Sequence, residues 1–302
     1  MKTVIVTGAN SGLGLWTSKY LLDLDYKVIM ACRNTVKAQK AIDSFPEFNK
    51  NKNYSIKTLD LGDFDSIRSF VQGIPEHKNI YGLDCNAGLS YIGAFRYTTN
   101  GIEETFGTNY LGHFLLTNLL LEKFKLERIV FISSGLHDPK NKSPFARAVF
   151  REINDLAYPK VNPASNLKKQ CEEFYANSKL CMLLFAYELD RRLKHKNSLY
   201  KICINAINPG LMLTTNLGRA HKFGENLYRS SLDLFFKIIG LSDNPKGSAR
   251  EVVKLIHNVT ASGEYYEKGK PVSSSVDSYD SEKAIRLWEG SETIIGSKFL
   301  SK

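Results

Sequence analysis

The chain has 302 residues, 43% hydrophobic and 24% charged, the make-up of an ordinary soluble globular protein long enough for one large α/β core. Its formal charge of +10 comes from lysines and arginines that alternate with acids and form no basic block, which argues against a nucleic-acid partner and fits a basic mouth that attracts an anionic cofactor. The cysteines, Cys32, Cys85, Cys171, Cys181 and Cys203, are odd in number and lack the spacing of a disulfide framework or zinc site, so a reducing compartment and no bound metal are expected.

The first residues run directly into an apolar strand, Thr3-Val4-Ile5-Val6, without the charged start and cleavage site of a signal peptide. No apolar run reaches the length of a transmembrane helix. The expected location is cytoplasmic. With no repeat, low-complexity tract or linker, residues 1–302 are expected to form a single domain.

In chain order, strands are predicted at Val4–Val6, Lys27–Ala31, Tyr54–Leu59, Leu83–Asn86, Arg128–Ile132 and Lys201–Ala206. Helical stretches at Ser11–Asp25, Asp63–Gln72 and Ile102–Phe124 lie between them. That alternation predicts a doubly wound α/β fold, a mostly parallel sheet with helices on both faces. Ligands bind such sheets beyond the carboxyl ends of the strands, so the residues following each strand matter most.

After the first strand comes Thr7-Gly8-Ala9-Asn10-Ser11-Gly12-Leu13-Gly14. Glycines there permit a tight turn and close approach of a pyrophosphate, whose charge is favoured by the free N–H groups of the following helix. Placed between first strand and first helix, the run meets the contextual test for a dinucleotide site. The second strand ends in Ala31-Cys32-Arg33-Asn34, without the acid that commonly holds the ribose of NAD. Arg33 offers a planar, permanently charged fork to a 2′-phosphate, with Ser11 or Asn34 adding hydrogen bonds, so NADP is the expected cofactor.

A helix is predicted over Phe174–Arg192, with Tyr175 and Lys179 four residues apart and hence on one face. A free phenol titrates too high for acid–base work at neutral pH, and the ammonium of Lys179 is expected to lower it. His113 is expected to be a packed, hydrogen-bonded structural histidine. His137 is placed at the substrate mouth by its closeness to Ser134.

These residues resemble the short-chain dehydrogenase/reductase family over almost the whole chain. The family's adenine-contacting Asp is matched by Asp60, followed by Leu61, and its Asn-Ala-Gly motif by Asn86, Ala87 and Gly88. Its catalytic Asn, Ser, Tyr and Lys are matched by Asn109, Ser134, Tyr175 and Lys179. Its Pro-Gly motif is matched by Pro209 and Gly210, with Thr214 following on the nicotinamide side. The resemblance implies a Rossmann-like fold and prefers Ser134 over Ser133 as the catalytic hydroxyl. It also implies that Asn109 positions a water connecting Lys179 to solvent.

Ser134 and Tyr175 are 41 positions apart, a longer interval than in many members, and Pro139, Pro144, Pro159 and Pro163 exclude one uninterrupted helix between them. This insertion, about 136–170, is similar to those of carbonyl reductases, while Asn109–Phe114 and the segments Ser262–Tyr266 and Leu287–Glu289 look closest to retinol dehydrogenases and protochlorophyllide reductases. In some relatives such an insertion covers the subunit-pairing face, so a monomer is expected. The apolar stretch at about 211–241 corresponds to the family's substrate lid, which implies a bulky hydrophobic carbonyl or alcohol. Packing on the core, or peripheral contact with a membrane surface, is an alternative role for that stretch.

The expected function is hydride transfer between NADP(H) and a carbonyl or alcohol group. Tyr175 is the expected general acid/base, assisted by Lys179, Ser134 and Asn109. Reduction of an activated carbon–carbon double bond is one alternative. A non-catalytic NADP(H) sensor is another, disfavoured because Tyr175 and Lys179 are both retained.

Overall fold

A computed structural model describes residues 1–46, 48, 53–91, 95–160, 166–196, 201–210 and 244–300. In order these form β1 (Thr3–Thr7), α1 (Gly12–Asp23), β2 (Lys27–Cys32), α2 (Thr35–Asp43), β3 (Tyr54–Thr58), α3 (Phe64–Gln72) and β4 (Ile80–Cys85). There follow α4 (Glu104–Phe106), a π-helical turn at Gly107–Leu111, α5 (Gly112–Lys123), β5 (Arg128–Ile132), α6 (Ile153–Ala157), α7 (Leu167–Lys196) and β6 (Cys203–Asn208). The described chain closes with α8 (Pro245–His257), β7 (Glu264–Glu267), β8 (Lys270–Val272) and α9 (Ser281–Ile295).

One sheet runs in the order β3-β2-β1-β4-β5-β6-β7-β8, parallel except for β8. The chain steps outward from β1 to β3 and then crosses to β4 on the other side of β1. The crevice at this reversal, beyond the carboxyl ends of β1 and β4, is where such folds bind ligands. β1 and β4 are buried along their whole length because helices cover both faces, which explains their unbroken rather than alternating burial. One face packs Ile67, Phe114, Leu184 and Trp288 from α3, α5, α7 and α9, and the other packs Leu21, Ile42 and Val252 from α1, α2 and α8.

Two differences from the sequence expectations bear on function. The stretch Ile102–Phe124 is not one regular helix, because a π turn at Gly107–Leu111 interrupts it. Such turns insert a residue into the helical ladder and re-aim its neighbours. The side chain that this places at the site is Asn109. Gly112 then packs against Leu61, whose carbonyl oxygen would lie only 2.2 Å from a Cβ there.

The other difference is length: α7 begins at Leu167, within the span assigned to the insertion, with Asn166 as its N-cap accepting from Lys169 N–H at 3.1 Å. Residues 176–186 of α7 are all buried, as a helix enclosed on every side requires. Part of that enclosure is α9, absent from the elements predicted by periodicity. Its Trp288 sits 4.9 Å from the Phe114 ring centre and 5.7 Å from that of Phe185. The insertion docks on the same layer: Ile153 of α6 fits where Gly290 lacks a side chain, and Arg151 pairs with Glu173 of α7 at 2.9 Å.

Candidate active site

Thr7, Arg33, Asp60, Asn86, Ser134 and Asn208 all lie at or just beyond the carboxyl ends of β1 to β6, on one rim of the sheet. Gly8 (φ 65°) and Gly12 (φ 52°) occupy the left-handed region, where a side chain is strained, so glycine is required at both. Gly14 is required for space: a Cβ would stand 2.4 Å from Asn86 Nδ2 and 2.8 Å from the Gly8 carbonyl. Asn86 Nδ2 donates to the Thr7 carbonyl at 2.7 Å, and Ala87 N–H donates to Thr7 Oγ1 at 2.9 Å. The Asn86-Ala87-Gly88 segment therefore latches the glycine turn to the end of β4.

Side chains of Asn34, Asp63, Asn244 and Asp280 cap α2, α3, α8 and α9, whereas the Ser11 side chain makes no cap on α1. The N–H groups and positive dipole end of α1 thus face the crevice, with Asn10, Ser11 and Gly12 partly exposed around them. Arg33 is half exposed, its Nη1 3.8 Å from Glu104 Oε1, a contact too long and too wet to hold it. Asp60 is fixed at the end of β3, Oδ1 accepting from Gly62 N–H at 3.0 Å. This cradle fits a dinucleotide phosphate group, and Arg33 stands free to meet a second anion.

Tyr175, partly buried, and Lys179, buried, share one face of α7, with Lys179 Nζ 5.7 Å from the centre of the phenol ring. Nζ is held by the Ile132 carbonyl at 2.9 Å. Ser133 Oγ is committed to the Lys179 carbonyl at 3.1 Å, while the Ser134 side chain favours the charged form of the Tyr175 phenol.

The expected lowering of the Tyr175 pKa by Lys179 is not what the structure gives. Burial pushes the phenol up to about 12, opposed by the bond from Ser134, and burial also pushes the Lys179 ammonium down to about 8. Desolvation is the largest cause of both shifts, and the Lys179 ammonium donates to the Ile132 carbonyl at the end of β5.

Asn109 is fully buried. Its Oδ1 accepts from Leu89 N–H at 2.8 Å, and its Nδ2 donates to the Leu89 carbonyl at 2.9 Å and to Ser178 Oγ at 3.0 Å. Its side chain therefore ties the segment after β4 to α7, and the atom left for a water is the main-chain carbonyl. That carbonyl also receives Nδ1–H of His113 at 2.9 Å, leaving His113 Nε2 to accept from the Thr7 hydroxyl at 3.0 Å. Burial holds His113 down to about 4, neutral, in the structural role expected of it.

His137 differs from its expected place at the substrate mouth. It is 2% exposed, with both ring nitrogens engaged by backbone. Beyond β6, Gly210 (φ 86°) turns the chain with its N–H on Asn208 Oδ1 at 3.0 Å, and Ser248 Oγ donates to the Pro209 carbonyl at 2.6 Å. Asn208 Nδ2 donates in turn to Glu267 Oε1 at 3.0 Å. Glu267, Ser178 and Leu89 escaped the sequence reading because their significance lies in partners dozens of residues away. Thr214 and the stretch at about 211–241 lie outside the described residues.

The short chain dehydrogenase family matches residues 2–143. Protochlorophyllide reductase of Daucus carota is 33% identical over 97% of this chain and 78% of its own length. Retinol dehydrogenase 13 of Homo sapiens is 32% identical over 98% of this chain and 85% of its own. Among solved structures, an uncharacterized protein of Mycobacterium paratuberculosis superimposes with a TM-score of 0.72 at 29% identity, covering 98% of this chain and 94% of that one. A point variant of the actinorhodin polyketide ketoreductase, solved with NADPH, has a TM-score of 0.62 at 20% identity over 87% of this chain and 94% of that one, a likeness of fold. With the glycine turn, Ser134, Tyr175 and Lys179 on the same rim of the same parallel sheet, the chain belongs to the short-chain dehydrogenase family.

Proposed function

We propose that this protein is an NADP-dependent oxidoreductase acting on a carbonyl or alcohol group of a bulky hydrophobic substrate. The observation that carries the reading is Tyr175 and Lys179 on one face of α7, with Lys179 Nζ 5.7 Å from the phenol ring centre and Ser134 acting on that phenol, all on the rim that bears the glycine turn. The chemistry that a bound nicotinamide supplies is hydride transfer to or from carbon. Thr7 to Gly14, Asp60 and Leu61, Asn86 to Gly88, and Pro209 with Gly210 and Thr214 hold the dinucleotide, and Arg33 meets its 2′-phosphate.

In the reducing direction the substrate oxygen gains a proton as its carbon gains hydride. Tyr175, held as the neutral phenol by burial, is the donor, and the Ser134 hydroxyl positions that oxygen. In the oxidising direction Tyr175 would act from its ionised form, whose oxygen takes the alcohol proton and returns to the phenol. Lys179 supplies charge next to Tyr175, and Asn109 positions α7 and the Leu89 backbone around it. Retinol dehydrogenases among the relatives support an extended apolar substrate.

Five buried cysteines that form no disulfide support a cytoplasmic location. Among the described residues no helix is long and apolar enough to cross a membrane. The cover of α7 by α9 and the insertion supports a monomer, which sedimentation tests.

NADPH oxidation with all-trans-retinal and a panel of aldehydes, ketones and steroids tests the reading. Tyr175→Phe is expected to lower turnover about 10²–10⁴-fold while leaving NADPH affinity nearly unchanged. A fully active Tyr175→Phe would refute the mechanism. The likeness to protochlorophyllide reductase favours a second reading, reduction of a carbon–carbon double bond. A light-dependent assay with protochlorophyllide separates the two.

A further inference from the structure

Between the catalytic end of β5 and the C-terminal part of the chain stands a buried imidazole to which no chemistry has been assigned. His137 lies three residues after Ser134, in a short 3-10 turn at Gly135–His137. One ring nitrogen, Nδ1, is 2.7 Å from the Ser134 carbonyl; the other, Nε2, receives Ser275 N–H at 3.1 Å. A backbone N–H can only donate and a carbonyl can only accept, so the two contacts together dictate one neutral tautomer, with the proton on Nδ1. The Tyr265 ring packs against the imidazole at 5.0 Å, inclined at 71°, and Tyr265 itself is held by Glu267, which its hydroxyl reaches at 2.8 Å. Ser275 is 3% exposed and anchored by Ser278, whose N–H and Oγ both donate to its carbonyl.

We infer that His137 is a positioning residue for Ser134: it clamps the Ser134 backbone to the segment after β8, and so aims the Ser134 hydroxyl at Tyr175. Ser134 is extended (φ −159°, ψ 147°), and its own Oγ is otherwise steadied only by a long contact of 3.4 Å from Leu136 N–H. Gly135, the next residue, has no side chain to brace the turn, and a Cβ there would strike Asn141 Nδ2 at 2.7 Å. The His137 N–H also donates to the Ser134 carbonyl at 3.1 Å within the turn, and the imidazole is the strut that ties that carbonyl to the segment after β8. It does not touch substrate or cofactor. This inference rests on the role proposed above for Ser134, and it gives the turn after β8 a part in the site.

Two conservative replacements divide the clamp. In His137→Asn, Nδ2 takes the place of Nδ1 and keeps the bond to the Ser134 carbonyl while losing that to Ser275. In His137→Gln, the terminal amide oxygen reaches Ser275 N–H while the side-chain bond to the Ser134 carbonyl is lost and the main-chain N–H bond to it remains. NMR of the protein labelled at histidine nitrogen and tyrosine Cζ is expected to show His137 as the neutral Nδ1–H tautomer. The Tyr175 Cζ resonance is expected to shift in His137→Gln in the same direction as in Ser134→Ala, and to stay near its wild-type position in His137→Asn.

With NADPH and all-trans-retinal, His137→Gln is expected to lower kcat about tenfold with little change in NADPH affinity, and to have no further effect in a Ser134→Ala background. An Nε2–H tautomer, or a Tyr175 resonance unmoved in His137→Gln, would overturn the inference whether or not retinal is turned over. Full activity of Ser134→Ala would instead remove the proposed role of Ser134, a result distinguishable from failure of the clamp because the resonances report the geometry without substrate.

Discussion

The carboxamide of Asn109 closes on both backbone groups of Leu89, accepting its N–H at 2.8 Å and donating to its carbonyl at 2.9 Å. Because the same amide nitrogen also reaches Ser178 on α7, one side chain joins the segment after β4 to the helix that carries Tyr175 and Lys179. The π turn at Gly107–Leu111 is what brings Asn109 into register for this.

Asn109→Asp is nearly the same shape but cannot donate, so it would set a carboxylate oxygen against the Leu89 carbonyl in a fully buried site. The expected cost is about 2–5 kcal/mol, since a buried polar group is left unpaired or charged. Chemical denaturation monitored by circular dichroism checks this, and turnover is expected to fall with it as α7 loses its anchor. An Asp variant as stable as wild type would show that the clasp contributes nothing.

Arg33 is half exposed, and its nearest acid, Glu104, is 3.8 Å away. Its side chain is therefore available for a 2′-phosphate without first breaking a strong internal bond. Arg33→Ala is expected to weaken NADPH binding about 10–100-fold, the worth of a charge-assisted fork, while leaving NADH binding nearly unchanged and the fold intact. Titration calorimetry with both dinucleotides checks it; equal losses for both would remove the argument for NADP.

Lys179 titrates near about 8 in the folded chain against an ordinary 10.5, because burial penalises its ammonium. Below the folded value it is protonated in both states, and folding carries the full cost of burying the charge. Between about 8 and 10.5 the unfolded chain holds more protons, so this group's contribution to stability rises with pH. Buried thiols and Tyr175 are shifted the other way and oppose it at the upper end of that range. The contribution is therefore read as a difference: urea unfolding of wild type and Lys179→Met from pH about 8 upward should show wild type gaining relative to the variant. Parallel curves would mean that Lys179 is not desolvated.

Much of this site was legible along the chain because its parts are local. The glycine turn follows the first strand, Arg33 ends the second, and Tyr175 and Lys179 share a helix face by spacing alone. Alternating apolar runs and helical stretches likewise specify a parallel sheet, since each strand buried on both faces needs an apolar run and each crossover needs a helix. The interruption of Ile102–Phe124 was not legible, because its apolar periodicity suits a regular helix, while the close approach of Thr98 to Gly107 and of Leu61 to Gly112 exists only in the folded chain.

The residue types and their order by themselves determined the doubly wound fold and the candidate chemistry of Tyr175, Lys179 and Ser134. Tertiary structure decided which serine faces the phenol, where the Lys179 ammonium points, and that Asn109 and His137 serve as struts. It also turned the expected shift of the Tyr175 pKa upward, through burial. The physical reason is that the type of a side chain is carried by sequence, whereas its protonation and aim depend on desolvation and on hydrogen-bond partners that only folding brings together.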